Sequence, residues 1–236
     1  MKEISVVLPA YQEAENLKNI LPKLNEALSK NGAEYEILVI DTREAMDNSE
    51  AVCNENDVLY INRENGNMYG DAIRTGFSHS NGRFTVVMDA DGSHDPKDII
   101  RFYDEMKSGN YDLIIGSRYC KGGQTDNSFI LKSMSWALNL TYRLVFGIKA
   151  KDISNSYRMY RTNEIQRLKL ECDNFDIVEE ILIKLNCMID GFSVKEVPIC
   201  FSKRDKGESK RDLFKFILSY LKTMKRLKSI KSDIIK

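Results

Sequence analysis

The chain has 236 residues, of which 42% are hydrophobic and 30% charged, and its 35 basic side chains balance its 35 acidic ones. This length and composition suit one large soluble α/β domain or two small ones, and they give no reason to expect nucleic acid as a partner. Only two histidines, His79 and His94, are present, which argues against a histidine-rich zinc site and a Ser-His-Asp triad.

Apolar strands and amphipathic helices alternate along the first half of the chain. The strands are predicted at 4–8, 35–40, 58–61, 84–88 and 111–115, and the helices at 13–30, at 71–80 and from Pro96 onward. Further along, helices are predicted at 129–146, 175–188 and 212–227, a short strand at 193–201 and a polar loop at 202–210. Such alternation is typical of a mostly parallel sheet with helices on both faces.

The cysteines and the hydropathy pattern predict where the protein resides. The five cysteines are odd in number and include no CxxC pair, so we expect reduced thiols in an intracellular setting. The apolar run at 4–9 is too short for a signal peptide, and no run approaches the ~20 residues that span a bilayer. We therefore expect a cytoplasmic protein, either free or peripheral on the cytoplasmic face of a membrane.

Polar residues follow three of the predicted strands. Asp41, Asp89 and Arg118 lie at or just beyond strand ends. Ligands of parallel α/β sheets bind at the carboxyl ends of the strands. We therefore expect these three side chains to meet at one edge of the sheet.

Asp89 and Asp91 stand one residue apart, directly after the predicted strand at 84–88. Two carboxylates this close repel each other unless a cation lies between them. A hard cation bound by oxygen, Mg²⁺ or Mn²⁺, is the natural partner, and substrate phosphates usually complete its coordination. The alternative is a solvated loop with an Asx turn before Pro96, which accounts for Asp95 better than for Asp89.

Longer motifs place this pair in a wider pattern. The chain carries, in order, VVLPAYQEAENL (6–17), DAIRTGF (71–77), MDADGSHDP (88–96), IIGSRY (114–119) followed by two glycines, and VPICFSKRDKGESK (197–210). In this order they resemble the family-2 glycosyltransferases of GT-A fold, specifically the dolichyl-phosphate mannosyltransferase-like branch. The resemblance extends from Ile4 to about Lys210 and implies a Rossmann-like, mostly parallel sheet flanked by helices.

The resemblance implies how a nucleotide-diphosphate sugar is bound. Asp41 is implied to hold the base or the ribose, and Asp91 is implied to be the main metal ligand, with Asp89 beside it. Ser93 and His94 are both candidates for an assisting ligand. The implied substrate contacts are Pro9, Ala10, Tyr11, Glu13, Asp41, Asp89, Ala90, Asp91, Arg118, Arg204 and Lys210. The last two lie on a loop implied to close over the donor.

The resemblance also implies the reaction, an inverting transfer of a hexose from GDP-mannose or a UDP-hexose to polyprenyl phosphate, with Mg²⁺ or Mn²⁺ as cofactor. A lipid phosphate is ionised near neutral pH, so no general base is required. The predicted catalytic residues are Asp91, Arg118 and Arg158, with the arginines positioning the acceptor. Two alternatives remain: a hydroxyl acceptor with Asp91 or Asp152 as base, and a nucleotide-sugar-binding protein with weakened catalysis.

Two positions depart from the pattern of that family. The usual Asp-Asp-Gly-Ser is DTRE at 41–44, so Thr42 offers a neutral hydroxyl in place of a carboxylate. The usual Ser-Gly-Phe-Arg is NSYR at 155–158, so the arginine is kept and the glycine is not. These departures motivate the alternative of weakened catalysis.

The tail is predicted to form a separate element. We predict a GT-A domain over residues 1–210 and a basic amphipathic helix over residues 211–236. An apolar stripe from Leu213 to Leu227 is flanked by lysines, which suits an anionic membrane surface. Packing of the stripe on the protein's own core is the alternative. Either this helix or a membrane-protein partner would bring the enzyme to a lipid acceptor.

Overall fold

The computed structural model describes residues 2–202, 220 and 222–229. The elements follow in the order β1 (Ile4–Pro9), α1 (Ala14–Asn31), β2 (Tyr35–Asp41), α2 (Ser49–Glu55), β3 (Leu59–Asn62), α3 (Tyr69–His79), β4 (Phe84–Val87), α4 (Asp98–Ser108), β5 (Leu113–Ser117), β6 (Gln124–Thr125), α5 (Phe129–Phe146), β7 (Arg158–Arg161), α6 (Thr162–Gln166), α7 (Ile177–Met188), β8 (Val194–Pro198) and β9 (Cys200–Phe201). Residues 222–229 form a further helical segment.

Seven strands form one sheet in the order β3-β2-β1-β4-β7-β5-β8, which confirms the predicted α/β architecture. β1 pairs in parallel with β2 and β4, β2 with β3, and β5 with β8. Among the strands that the structure describes, β7 alone runs antiparallel to its neighbours, β4 and β5. The carboxyl ends of β1, β2, β4 and β5 therefore share one edge of the sheet.

Helices cover both faces of this sheet, as predicted. One apolar cluster includes Leu17 of α1 and Phe102 of α4, and the other includes Phe77 of α3 and Leu182 of α7. Strands β4 and β5 are buried along their whole length, which explains why their sequences are continuous apolar runs. Gly76 allows α3 to approach β1, because a Cβ atom there would lie 2.3 Å from a methyl group of Val7.

The described part of the C-terminal helix packs on the protein itself. Tyr220 and Leu227 are buried. The hydroxyl of Tyr142 donates to the carbonyl of Tyr220 at 3.3 Å, and the guanidinium of Arg226 lies 3.6 Å from the carboxylate of Glu180. These contacts support packing of the described residues on the protein's own core, and contact of this helix with a membrane stays a prediction. The remainder of the predicted stripe and the predicted domain boundary after residue 210 lie outside the described residues.

Candidate active site

The chain turns sharply after β4, at the carboxyl edge of the sheet. Gly92 has a φ of +82°, a conformation that glycine adopts without the steric cost of a side chain. The turn presents Asp89, which is half-buried, and Asp91, which is 5% exposed, beside the end of β1. The predicted carboxylate pair therefore lies at the predicted edge.

Asp91 is held by Ser93 within this turn. Its Oδ1 accepts hydrogen bonds from the backbone N–H of Ser93 at 3.0 Å and from the Ser93 hydroxyl at 2.5 Å. Ser93 itself is buried. Its hydroxyl therefore fixes the orientation of the carboxylate.

Asp89 is held from a distant part of the chain. The hydroxyl of Ser156 lies 3.1 Å from each of the two carboxylate oxygens of Asp89. Ser156 belongs to the loop at 152–157, which leads into β7. Sequence reasoning missed this contact because 67 residues separate the two partners.

His94 supports the turn from inside the protein. Its Nδ1 accepts the backbone N–H of Asp89 at 3.1 Å, and its ring stacks on Tyr157 with centroids 4.4 Å apart. Burial lowers the pKa of His94, in keeping with a neutral ring that accepts at Nδ1. Of the two side chains considered as an assisting metal ligand, Ser93 and His94, the geometry favours the serine.

The donor set fits a hard divalent cation. Asp89, Asp91 and Ser93 offer oxygen atoms alone, which Mg²⁺ and Mn²⁺ prefer, and Ala90 between the aspartates is buried. Within the described part of the chain, no group of three or more His, Cys, Asp and Glu side chains is arranged to hold a metal. Asp89 and Asp91 would hold such a cation through two carboxylates, and a substrate diphosphate would complete its coordination.

The predicted base pocket lies at the end of β1. The backbone N–H of Ala10 donates to the carbonyl of Ile40 at 2.9 Å, which keeps the ends of β1 and β2 together. Pro9 is half-buried and Tyr11 is 45% exposed. Glu13 directly precedes α1 and accepts a hydrogen bond from Asn16 at 2.6 Å. The donor contacts predicted for these residues stay predictions.

Arg63 is a structural residue of this pocket that sequence reasoning did not single out. It is 5% exposed, and its guanidinium donates to the carbonyls of Ala10, Asn67 and Met68. It thereby joins the end of β1 to the loop before α3. Arginine can satisfy several carbonyls at once because its planar head carries five N–H donors.

Asp41 lies wholly inside the protein. Its Oδ1 accepts from the backbone N–H of Thr42 at 2.8 Å, and its Oδ2 accepts from the hydroxyl of Tyr60 at 3.1 Å. Burial raises the pKa of Asp41, and burial together with the Asp41 carboxylate raises the pKa of Tyr60 to about 12. The Thr42 hydroxyl donates to the carbonyl of Glu44. Contact of Asp41 with base or ribose stays a prediction.

Arg118 forms a buried, bidentate ion pair with Asp152. Its Nε and Nη2 donate to the two carboxylate oxygens at 2.8 and 2.7 Å, and its Nη2 also donates to Ser154 at 3.0 Å. The two side chains are 8% and 0% exposed. Asp152 is therefore not placed to be the general base that a hydroxyl acceptor requires. The phosphate contact of Arg118 stays a prediction.

Arg158 requires a correction. Its side chain is fully buried at the start of β7, where the guanidinium donates to the backbone carbonyls of Ile153, Asn155 and Val178. A guanidinium enclosed in this way does not face a substrate. The structure therefore gives Arg158 the role of joining the loop at 152–157 to α7, in place of the predicted contact with acceptor phosphate.

Glu179 of α7 lies in the same interior, with Arg158 as a neighbouring charge. It is 0% exposed, and no other residue in the described part of the chain forms a hydrogen bond with its side-chain oxygens. Burial raises the pKa of Glu179 to about 8, the charge of Arg158 opposes that rise, and the charges of Asp176 and Asp152 add to it. The side chain is therefore protonated in the folded protein at neutral pH.

We expect Glu179→Gln to stabilise the protein more at alkaline than at acidic pH. As the pH rises from about 4.5 to about 8, the unfolded state loses this proton while the folded state keeps it, so the wild type loses stability and glutamine does not. The expected gain in the free energy of unfolding at alkaline pH is on the order of 3 kcal/mol. Melting temperatures at about pH 5 and about pH 8.5, with exposed Glu55→Gln as control, check this; an equal gain at both pH values would contradict it.

The start of the predicted donor loop is tied to the carboxylate turn. The backbone N–H of Ser202 donates to the carbonyl of Ser93 at 3.1 Å. The ring of Phe201 lies 5.4 Å from that of His94 and 5.5 Å from the guanidinium carbon of Arg118. Arg204 and Lys210, the predicted donor contacts of this loop, lie outside the described residues.

The fold and the paired carboxylates define an α/β protein of the GT-A glycosyltransferase type. Residues 5–168 match Glycosyl transferase family 2, and the chain belongs to this family.

Two curated relatives cover most of the chain. The dolichol-phosphate mannosyltransferase of Pyrococcus furiosus is 32% identical over 98% of this chain, which spans 65% of that protein's length. The polyprenol monophosphomannose synthase of Mycolicibacterium smegmatis is 33% identical over 87% of this chain and 79% of its own length. The chain therefore corresponds to about two thirds of the Pyrococcus protein.

Solved structures share the fold at lower sequence identity. Glucosyl-3-phosphoglycerate synthase from Mycobacterium tuberculosis, in complex with Mn²⁺, UDP and glucosyl-3-phosphoglycerate, has a TM-score of 0.71 at 14% identity, covering 94% of this chain and 77% of that one. The same enzyme with Mg²⁺ and UDP has a TM-score of 0.70 at 14% identity, covering 94% and 79%. These likenesses confirm the predicted fold.

Proposed function

We propose that the chain is an inverting, metal-dependent hexosyltransferase that moves a hexose from GDP-mannose or a UDP-hexose to polyprenyl phosphate. One observation carries the proposal: Asp89 of the carboxylate pair is hydrogen-bonded to the loop at 152–157, and that loop is hydrogen-bonded to a helix, α5, whose outer face is apolar. The names of the Pyrococcus and Mycolicibacterium relatives, a dolichol-phosphate mannosyltransferase and a polyprenol monophosphomannose synthase, support it.

On the donor side, Asp89 and Asp91 would hold the cation and line the diphosphate, with Ser93 as an assisting ligand. A bound Mg²⁺ or Mn²⁺ neutralises charge on the departing nucleoside diphosphate. Mn²⁺ and Mg²⁺ together with UDP in the structural neighbours support a divalent cofactor. The ends of β1 and β2, with Tyr11, form the site for the nucleoside.

On the acceptor side, α5 joins the site to an apolar surface. The Asn139 side chain of α5 accepts the backbone N–H groups of Ile153 and Ser154, each at 3.0 Å. The guanidinium of Arg118 reaches Ser135 of α5 at 3.4 Å. An acceptor chain lying along α5 would therefore bring its phosphate towards Arg118, and we propose that a guanidinium N–H of this arginine contacts it.

The outer face of α5 is apolar to a degree unusual for a surface helix. Phe129 is 83%, Ile130 67%, Trp136 60% and Leu144 76% exposed.

The hydroxyl groups on this face also suit an apolar medium. Those of Ser133 and Thr141 donate to carbonyls four residues earlier in the helix, at 2.9 and 2.8 Å. A hydroxyl bonded in this way needs no partner from the surroundings. In the described part of the chain, no helix is both long enough and apolar enough to cross a membrane. The exposed apolar side chains and the internally bonded hydroxyls of α5 are our reason for assigning peripheral membrane contact to this helix, in place of the described part of the C-terminal helix.

We expect lipid vesicles to shift the fluorescence of Trp136 to shorter wavelength, because this ring is exposed and is the single tryptophan of the chain. Leu144→Glu should weaken vesicle binding about 10-fold or more, since it places a charge on the apolar face. Leu59→Glu is the matched control, because Leu59 is 50% exposed on β3, at the sheet edge away from α5. Equal weakening by both variants, or no shift for the wild type, would reject α5 as the lipid-binding face.

Donor binding can be tested separately by calorimetry. GDP, UDP, GDP-mannose and UDP-glucose are titrated into the full chain with and without Mn²⁺. The proposal expects one nucleotide series to bind, with affinity that rises at least about 10-fold when Mn²⁺ is present. If Mn²⁺ does not change the affinity for any of the four nucleotides, the proposed cation site is wrong.

A further inference from the structure

The two carboxylates of the proposed cation site are each fixed by a serine, and only one of these serines belongs to the motif around them. Ser93 lies two residues after Asp91, whereas Ser156 reaches Asp89 from a separate loop. Ser156 is 8% exposed and lies 3.1 Å from both oxygens of Asp89. Its single O–H is therefore shared across the carboxylate.

The loop that carries Ser156 is itself held on both sides. The side chain of Asn155 donates to the carbonyl of Gly116 at the end of β5, and the guanidinium of Arg158 donates to the carbonyl of Asn155 at 2.7 Å. The hydroxyl of Tyr157 donates to the carbonyl of Asp95 at 2.7 Å. Because its neighbours are fixed to β5 and to the carboxylate turn, Ser156 presents its hydroxyl to Asp89 at a defined position.

We propose that Ser156 is a positioning residue for cation-assisted donor binding, which it serves by holding the carboxylate of Asp89 in a ligating orientation. The inference rests on the proposed function. Two carboxylates one residue apart repel each other in the absence of a cation, and Asp89 is the more exposed of the two. A hydroxyl that donates to Asp89 opposes its rotation away from the site, as outer contacts of metal ligands do.

The inference predicts a specific loss in Ser156→Ala. Calorimetric titration of GDP and UDP in the presence of Mn²⁺ should show affinity lowered about 10-fold or more, the usual effect of removing a contact that orients a metal ligand. Titration without Mn²⁺ should give wild-type affinity, and the melting temperature of the nucleotide-free protein should be unchanged. Ser156→Thr, which keeps the hydroxyl, should stay within about 3-fold of the wild type.

A matched control is available at the amino end of β5, away from the carboxyl ends of the strands where the site lies. The hydroxyl of Ser193 donates to a carboxylate oxygen of Asp112, just before β5, at 2.8 Å. Ser193→Ala removes the same kind of bond away from the site and should leave Mn²⁺-dependent binding unchanged.

Two results would overturn the inference: Ser156→Ala binding within about 2-fold of the wild type with Mn²⁺, or an equal loss with and without Mn²⁺. In both cases the wild type still binds nucleotide with Mn²⁺, so the proposed function survives. If Mn²⁺ does not change the nucleotide affinity of the wild type, the proposed cation site is wrong, and so is the role of Ser156.

Discussion

Asp91→Asn is expected to lower hexose transfer at least about 100-fold while leaving the protein folded. Asparagine keeps the shape of the side chain and can still accept the hydrogen bonds from Ser93 through its amide oxygen. It lacks the negative charge that binds a divalent cation. The loss should therefore appear in Mn²⁺-dependent nucleotide affinity as well as in transfer rate.

The control for this variant lies in the same turn. Asp95 is exposed, and its Oδ1 accepts the backbone N–H of Lys97 at 3.0 Å, an Asx-type contact that asparagine preserves. Asp95→Asn should therefore keep wild-type transfer and nucleotide affinity. If folded Asp91→Asn binds GDP or UDP with Mn²⁺ as tightly as the wild type, the metal assignment is wrong.

Arg158→Met should destabilise the protein by about 4 kcal/mol or more. Methionine fills a similar length but leaves three buried carbonyls, those of Ile153, Asn155 and Val178, without their donor. Since domains of this kind have only about 5–15 kcal/mol of stability, the variant should unfold at much lower urea concentration or fail to accumulate.

Arg161→Met, at the other end of β7, is the matched control. The Arg161 side chain is 22% exposed, and its Nε lies 3.5 Å from a carboxylate oxygen of Asp112. Partly exposed pairs of this kind contribute little, so a loss below about 1 kcal/mol is expected. Equal urea midpoints for Arg158→Met and the wild type would show that this interior does not depend on the arginine.

The parallel part of the sheet was predictable because burial on both faces forces its strands to be continuous apolar runs. The prediction at 84–88 agrees with β4 within one residue, and the prediction at 35–40 with β2 within one residue. β7 was missed because Arg158–Arg161 is only four residues long and begins and ends with arginine, which is not typical of a buried strand. Burial of Arg158 depends on backbone carbonyls of other elements, such as that of Val178. No local pattern records such partners.

In the candidate site, too, features formed by sequence neighbours were predictable, and contacts between distant residues were not. The carboxylate turn was predictable because its residues are neighbours in sequence and directly follow a strand. The contacts of Asp89 with Ser156 and of Arg118 with Asp152 join residues 67 and 34 positions apart, so they depend on how the chain returns to the sheet. The exposure of α5 was also hidden, because an apolar helix that faces outward has the same sequence pattern as one that is buried.

Transfer of radiolabelled mannose from GDP-mannose to a short polyprenyl phosphate by the full chain, with Mn²⁺ and extraction into organic solvent, would show whether this chain uses a lipid-phosphate acceptor; labelled UDP-glucose serves as the parallel donor. We expect label to enter the organic phase with one of the two donors, EDTA to prevent this, and Asp91→Asn to prevent it while Asp95→Asn does not. Label that never leaves the aqueous phase with either donor, although the protein binds nucleotide with Mn²⁺, would contradict a polyprenyl-phosphate acceptor.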